Sequence, residues 1–575
     1  MLTEIVEAIR YEAELSSVPT QWPIEEARQM GALWKVGLSP RTINDHLDES
    51  FEGAGAWWAG PPRGSGDVLA VAPDEFEVVV RYASTPVPGV GLLSLYPPRF
   101  LDTLAGLYES PFRGRRFLEV LAELETSSAE PRFQAPSPDA FPELRRAQRE
   151  AFELLRYRFA YLWGPPGTGK THTLGTMVAA FLQENPGKRV LLISSTNTAV
   201  DLSLVSVDTA LARLPESMDD VWQLRRACKR VGVHFHARHY DRREHLLPRF
   251  NPELVREIAR LQGSRPEPSD MQAYLEWKER IEKLQTELRS VARDVFSQSR
   301  LVAMTCARGE FSFTDLEDIG PFDLVVFDEA SQVGLAHILP FLTVAEQALF
   351  AGDPRQLAPI VRAEDREVRR WLGRTAFDFM DVSRANAVIL DEQSRMAEPI
   401  SHIVSDAFYD GRLKVCARAA ADPRWRRDRA GAAVEILKIP AEGRGTKTGY
   451  CRAESAVRIA EAVREALRTF AAKEIAVITP YRLQRHLIRK ELLLLGIRNV
   501  EVQTVHRSQG SERRAIFFDP VLGSHRAVSD RLVNVALSRA QARLVIAFSR
   551  GDLLNPRLAR IYELCARPMQ YNVLS

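Results

Sequence analysis

Apolar positions fall along the chain in two rhythms. Short β-type runs recur, most of them ending abruptly in a cluster of polar side chains, and between them lie longer stretches with helical spacing. "FAYLW" (159–163) leads into "GPPGTGKT", "RVLLI" (189–193) ends in "SSTN", "FDLVVF" (322–327) in "DEASQ" and "QALFA" (347–351) in "GDPRQLAP". In the second half "IAVI" (475–478) ends in "TPYRLQ", "VEVQTV" (500–505) runs into "HRSQGSE", and "RLVNVALSRA" (531–540) precedes another strand, "RLVIAF" (543–548). Strands alternating with helices predict an α/β protein with parallel sheets. In such sheets ligands bind at the carboxyl ends of the strands. So many polar strand ends in one chain predict two α/β lobes facing a shared cleft.

Outside these lobes the pattern changes. Residues 1–40 read as helical. "GDVLAVAPDEFEVVVRY" and "GVGLLSLY" within 67–96 alternate between turns, which predicts a small β-barrel. "LDTLAGLYES" and "RRFLEVLAELE" read as helices returning to the core, and the polar, proline-rich stretch 126–143 as a linker. An insertion at about 205–298 holds "NPELVREIARL", with Asn251 as N-cap and proline at the first helical position. A second helix starts near Asp270, in which Trp277, Ile281, Leu284, Leu288, Val291 and Val295 recur as a coiled-coil seam. The seam predicts a helical hairpin closing on itself; the alternative is a lever that contacts nucleic acid or a protein partner. The expected organisation is an accessory region over 1–125, a linker over 126–143, a first lobe over 144–372 with the insertion, and a second lobe over 373–575.

Composition adds limits rather than direction. The 575 residues are 45% hydrophobic and 26% charged with net charge +2, an ordinary globular balance that favours no particular partner. No apolar run is long enough for a membrane span, and "MLTEIVEAIRYEAEL" lacks the basic start and apolar core of a signal peptide. A cytoplasmic protein is the expectation. Cys228, Cys306, Cys416, Cys451 and Cys565 are scattered without a C-x-x-C pair, so a cysteine-built zinc or iron–sulfur site is not expected. Basic clusters stand at 225–230, 238–244 and 424–429. His234, His236 and His239 are interleaved with arginines that repel a cation, which favours a basic loop contacting phosphates over a metal site.

"GPPGTGKT" fits the phosphate-binding loop G-x-x-x-x-G-K-[ST], between a strand and a helix as the motif requires. Its residues Gly164, Pro165, Pro166, Gly167, Thr168, Gly169, Lys170, Thr171 and His172 are the candidate nucleotide site. Backbone amides and a helix N-terminus would surround the phosphates. Lys170 would reach the β- and γ-phosphates and the Thr171 hydroxyl would ligate Mg²⁺. Asp328, at a buried strand tip, can hold Mg²⁺, and Glu329 can orient or deprotonate the attacking water. Arg395 in "DEQSRM" and Arg539 in "VALSRA" are candidates for meeting the charge that develops on the γ-phosphoryl group. Gln356, after "GDP", is a candidate sensor of that phosphate.

In this order the motifs resemble those of superfamily 1 helicases, in the branch that includes the nonsense-mediated-decay helicase and the immunoglobulin-mu-binding-protein helicase. The matching segments run from "RRAQREAF" through "GPPGTGKT", "SSTNTAVD", "VAMTCA", "DEASQ", "GDPRQLAP", "EQSRM", "ITPYRLQ" and "TVHRSQGSE" to "NVALSRA", roughly residues 145–550. The resemblance implies two RecA-like, doubly wound lobes that clamp ATP, with single-stranded DNA or RNA across their top, a monomer as the functional minimum and 5′-to-3′ stepping. It implies an accessory barrel before the first motif and a helical insertion in the first lobe. By the same resemblance Gln148 would read the adenine edge, and Gly510 and Glu512 would approach the nucleotide. Thr196, Asn197, Thr305, Thr479, Pro480, Tyr481, Thr504 and His506 would lie along the strand. Two positions depart from the family: Ser394 stands where a tyrosine usually stacks on adenine, and Ser508 replaces an aromatic. No nuclease signature or Cys/His-rich module is found. The competing readings are an ATP-gated clamp or nucleoprotein remodeller that does not separate strands, and an AAA-type ring ATPase acting on protein. The second set of strand-end motifs argues against the ring.

Overall fold

A computed structural model of the chain describes all residues except 31–32, 40–53, 60–62, 73–76, 83–85, 97–99, 128, 216, 233, 249–250, 267–269, 288–291, 417–432, 447–448, 506–511, 523–528 and 567–575. The chain divides into two compact units. The first comprises Met1–Leu162, Thr171–Gly352 and Pro359–Val388; the second comprises Trp163–Lys170, Asp353–Ala358 and Ile389–Ser575. Among the described residues no helix is long and apolar enough to cross a membrane.

The first unit carries a closed six-stranded barrel: β1 (Thr20–Met30), β2 (Leu33–Leu38), β3 (Gly55–Trp58), β4 (Gly64–Ala72), β5 (Glu77–Tyr82) and β6 (Gly91–Tyr96). Only the helix Leu2–Ser16 fulfils the helical expectation for residues 1–40; the stretch after it is strand. "EEARQM" is made of helix formers, yet it pairs antiparallel with β2, and the start of β1 pairs with β6. Closure of the barrel overrides local propensity here. Period-two alternation explains the faces. Val78 and Val80 point into the barrel with Trp22, Trp58 and Leu93, whereas Val79 points outward with Ala70 against Tyr274 and Leu275.

Those two residues belong to the insertion, whose helices are Pro252–Gly263, Met271–Glu287 and Ala292–Gln298. The hairpin does close on itself, since the Trp277 indole donates to the Leu261 carbonyl at 2.6 Å. It also docks on the barrel, where the Lys278 amine donates to the Leu69 carbonyl. Of the expected seam, Trp277, Ile281 and Leu284 lie on the helix Met271–Glu287 and Val295 on the helix Ala292–Gln298, while Leu288 and Val291 lie outside the described residues.

A seven-stranded sheet forms from β7 (Phe159–Trp163), β8 (Val190–Ser194), β9 (Cys228–Arg230), β10 (Leu301–Thr305), β11 (Phe322–Asp328), β12 (Ala345–Gly352) and β13 (Ala387–Ile389), in the order β13-β7-β12-β11-β8-β10-β9. The pairings from β12 through β9 are parallel. Its central strands β8, β10 and β11 are buried along almost their whole length and so read as nearly continuous apolar runs. β9 comes from the insertion, which is therefore part of the sheet edge as well as a helical appendage.

Several basic residues around β9 pair with one buried carboxylate, while Lys229 donates to the His245 and Leu247 carbonyls. Arg225 donates two bonds to Asp208 at 2.7 and 2.9 Å, His245 lies 2.8 Å from the same carboxylate, and Arg243 is 3.3 Å away. Burial alone would raise the Asp208 pKa, but the hydrogen bonds from His245 and Arg225 outweigh it and hold the carboxyl below its usual range. A depressed acid contributes stability that is present above its unfolded pKa, about 3.9, and is lost as pH falls through the lower folded value. Acidification below about pH 4 should therefore release this part of the insertion. Trp222, whose ring is 4.8 Å from that of His245, is the reporter: its fluorescence should change in this window, and in Asp208→Asn the change should already be present at neutral pH. An acid transition unaltered by Asp208→Asn would refute the assignment.

The second unit holds a five-stranded sheet of β14 (Val434–Lys438), β15 (Ile475–Thr479), β16 (Glu501–Thr504), β17 (Arg513–Phe518) and β18 (Ala540–Phe548), in the order β14-β18-β17-β15-β16, with all four pairings parallel. Its carboxyl edge is tied by a buried arginine. Arg452 donates to Asp519 and to Asp552, each at 2.8 Å, and Gln484 and Ser455 complete the shell around Asp519 at 2.7 and 2.6 Å. Burial pushes the Asp519 carboxyl up against the opposing pull of Arg452, as expected when two acids share one guanidinium. Arg452→Ala should cost about 3–5 kcal/mol, because it leaves the acids buried without their cation. Urea unfolding checks this; a loss under about 1 kcal/mol would mean that water enters and replaces the guanidinium.

Candidate nucleotide and nucleic-acid site

In the second unit the loop of residues 164–169 follows β7 and opens the helix Lys170–Glu184. Gly167 and Gly169 have φ of +75° and +82°, a region that favours glycine. A Cβ on Gly164 would lie 2.6 Å from the Lys170 Cβ, and one on Gly167 would lie 2.6 Å from the Arg395 Cβ. Thr168 closes the turn by bonding the Pro165 carbonyl at 2.7 Å through its hydroxyl.

Arg395, a candidate for meeting transferred charge, thus stands against the loop. Its guanidinium pairs with Glu512 and donates to the Ser538 carbonyl at 3.3 Å, while its backbone N–H is held by Gln393 at 2.8 Å. Ser394 occupies the position of the family's stacking tyrosine. Its N–H donates to the Gly167 carbonyl at 2.9 Å, so the residue supports the loop rather than a base.

Gln356 and Arg539 are brought together as well: the guanidinium donates to the Gln356 side-chain oxygen at 3.1 Å. Both belong to a network centred on a residue that the motif reading passed over. Asp353 is 2% exposed and accepts from Trp163 at 2.9 Å, from Tyr409 and Gln356 at 2.6 Å and from the Arg355 N–H at 3.0 Å. Burial raises its pKa against these bonds. Asn534 extends the network by donating to the Tyr409 hydroxyl at 2.7 Å. The signal available in the sequence was an aspartate directly after an apolar strand, the same signal that identified Asp328.

At the end of β15, Thr479 is fully buried and pairs in register with Thr504 of β16. Pro480 follows at the half-buried strand end, and the Tyr481 ring lies 5.7 Å from that of Tyr450. His506, Ser508 and Gly510 lie outside the described residues, as does the basic cluster 424–429.

In the first unit Asp328 ends β11 with 2% exposure. Its carboxylate accepts from the Ser203 hydroxyl and from the Glu329 N–H at 2.9 Å. A carboxylate is a hard oxygen donor of the kind that suits Mg²⁺. Glu329 adopts a left-handed conformation, φ +56°, which costs a non-glycine residue roughly 1–3 kcal/mol and turns its side chain away from the strand direction. Gln332 donates to its carboxylate at 2.9 Å. Thr171 begins the first unit's part of the loop helix, and its carbonyl accepts from Ser206 at 2.9 Å. His172 is half-buried, 3.7 Å from Glu143; burial lowers its imidazole pKa against the pull of that carboxylate. Gln148 is buried, and its side-chain oxygen accepts from the Arg145 N–H at 3.0 Å.

The expected strand-contacting residues of this unit have structural duties. Thr196 caps the helix Asn197–Leu211 and Thr305 caps the helix Cys306–Phe311. The Asn197 side chain is gripped by Arg230 at 2.7 Å, and Arg230 bonds the fully buried Asp201 at 2.9 Å. The His236 N–H and the Tyr240 hydroxyl also donate to Asp201, at 2.8 and 2.7 Å. The histidine segment thus braces the helix that carries Asn197. His236 engages Thr198 at 2.9 Å and packs edge-on to His239. Arg243, in the segment expected to be a phosphate-binding basic loop, pairs with Asp208 at 3.3 Å, and Arg225 and Arg230, from the preceding basic cluster, pair with Asp208 and Asp201.

Two family models, each described as an AAA domain, match the chain, one over residues 143–239 and 257–364 and the other over residues 372–550. The regulator of nonsense transcripts 1 homolog of Drosophila melanogaster is 26% identical over 452 residues, covering 73% of this chain and 36% of that protein. DNA polymerase alpha-associated DNA helicase A of Saccharomyces cerevisiae is 27% identical over 458 residues, covering 70% of this chain and 65% of its own length. DNA-binding protein SMUBP-2 of Rattus norvegicus is 26% identical over 430 residues, with coverages of 70% and 42%. The chain therefore spans between about a third and about two thirds of the length of these relatives.

Proposed function

Because the chain belongs to the superfamily 1 helicases, in the branch of the nonsense-mediated-decay and immunoglobulin-mu-binding-protein helicases, we propose that it is an ATP-dependent helicase or translocase on single-stranded nucleic acid. One observation carries the proposal. In two separate parallel sheets the motif residues stand at carboxyl strand ends: Ser194, Thr305, Asp328 and Asp353 follow or close β8, β10, β11 and β12, and Thr479 and Thr504 close β15 and β16. That is where open α/β sheets bind ligands, and two such edges suit a pair of RecA-like lobes.

In this reading Lys170 and the loop amides bind the phosphates, and Thr171 and Asp328 hold Mg²⁺, which neutralises phosphate charge. Glu329 takes the proton of the attacking water through its carboxylate. Arg395 and Arg539 stabilise the transferred charge, and Gln356 reports it. Gln148 reads the adenine edge, with Glu512 and Gly510 beside the nucleotide. The strand runs past Asn197, Tyr481 and the neighbouring caps. Stepping from 5′ to 3′, action as a monomer, a protein partner at the N-terminal or inserted region and a cytoplasmic setting belong to the same proposal.

The test is the ATPase rate with and without single-stranded DNA and RNA in parallel, followed by unwinding of tailed duplexes of both polarities. Many-fold stimulation supports the proposal, and the preferred strand names the substrate. Stimulation without unwinding would favour the clamp or remodeller. Robust ATPase activity indifferent to both strands would overturn nucleic acid as the partner.

A further inference from the structure

Among the described residues, one group of three potential metal ligands, largely buried, stands apart from the strand-end chemistry. Cys306 and Glu310 lie four residues apart on the helix Cys306–Phe311 and so leave it on one face. His337, on the helix Leu335–Leu342, meets them. The ligand atoms of the three residues all lie within 4.8 Å of one another. Glu310 Oε1 is 3.5 Å from Cys306 Sγ and 2.6 Å from His337 Nδ1.

We propose that Cys306, Glu310 and His337 form a binding site for a divalent transition-metal ion of the zinc class, with a water molecule as fourth ligand. The donor set of one thiolate, one carboxylate and one imidazole suits such an ion. Metal bonds of about 2.3 Å to sulfur and about 2.1 Å to oxygen give a tetrahedral S–O edge of about 3.6 Å, close to the observed separation. The N–O edge must open from 2.6 Å to about 3.4 Å, a movement within reach of the flexible Glu310 side chain. Charge also balances: binding expels the thiol proton to solvent, together with the imidazolium proton where His337 carries one. A dication with a thiolate and a carboxylate is then neutral, as a buried site requires.

A route exists for the ion and its water. His337 forms part of the wall of a cavity of about 290 Å³, together with Glu12, Gln332 and Gly334. The bound ion would pin the helix capped by Thr305 to the helix that follows the Asp328–Gln332 turn. It would thereby stiffen the connection between the proposed strand contact and the proposed catalytic carboxylate, although metal binding itself does not depend on the helicase reading.

The test uses the full chain, stripped of metal and titrated with Co²⁺. A thiolate-to-cobalt charge-transfer band should saturate at one ion per chain and vanish when Zn²⁺ is added. It should be absent in Cys306→Ser, weaken at least tenfold in affinity in His337→Gln, and persist in the Cys451→Ala/Cys565→Ala double variant. No band, or a band that survives Cys306→Ser, overturns the site. If Cys306→Ser fails to fold, alkylation mapping of the wild type decides. Stoichiometric Zn²⁺ should slow modification of Cys306 at least tenfold, and equal rates with and without Zn²⁺ overturn the proposal.

Discussion

Replacing Arg395 by alanine should lower the nucleic-acid-stimulated ATPase rate by roughly 10³–10⁵ while leaving nucleotide affinity within a few-fold. The expectation rests on position and charge. Its Cβ would abut a Cβ on Gly167, so the side chain starts at the phosphate loop itself. The guanidinium is held by Glu512 and by the Ser538 carbonyl, ready to exchange those partners for γ-phosphoryl oxygens as charge spreads over them. Arg395→Lys should recover little, because an ammonium cannot bond two oxygens in a plane. Single-turnover phosphate release, read beside binding of a fluorescent nucleotide, separates chemistry from affinity. A loss below about tenfold would remove Arg395 from the reaction and shift the role to Arg539.

Glu329→Gln should lower turnover by roughly 10²–10⁴, with nucleotide still bound. The left-handed backbone and the bond from Gln332 fix where this carboxylate points, and the neighbouring Asp328 is already engaged by Ser203 and the Glu329 N–H. The substitution keeps the shape and one oxygen that can still accept from Gln332, while removing the negative charge and with it the ability to take the water's proton. The variant should therefore accumulate in its ATP-bound form, visible as slowed nucleotide release and altered strand affinity. If the rate falls less than about tenfold, another group takes the proton and Glu329 only positions the water.

Several features of the candidate site have local signals in the sequence. Glycines at 164, 167 and 169 are demanded by positive φ or by the close approach of Lys170 and Arg395. Asp328 was legible because a strand buried on both faces is a continuous apolar run, and the first charge after it marks the sheet edge. The barrel's β1 was missed because "EEARQM" has helix-forming side chains, and only pairing with two distant strands makes it extended. The partners of the basic cluster at 225–230 are not legible in the sequence for a related reason. Arg225 and Arg230 look solvent-seeking in sequence, but Asp208 and Asp201, 17 and 29 residues earlier, neutralise them.

By itself, then, the sequence determined the strand–loop–helix of the candidate phosphate site, the order of the strand-end motifs and the α/β class, since each follows from dihedral limits and burial within a few residues. Only the tertiary structure decided which of those polar residues are caps, such as Thr196 and Thr305. It also decided which act in a shared network, such as Asp353 with Trp163, Gln356 and Tyr409, and where Cys306, Glu310 and His337 converge. These are meetings of groups far apart in the chain, set by which sheets and helices pack together, and no local pattern of hydrophobic and polar positions encodes them.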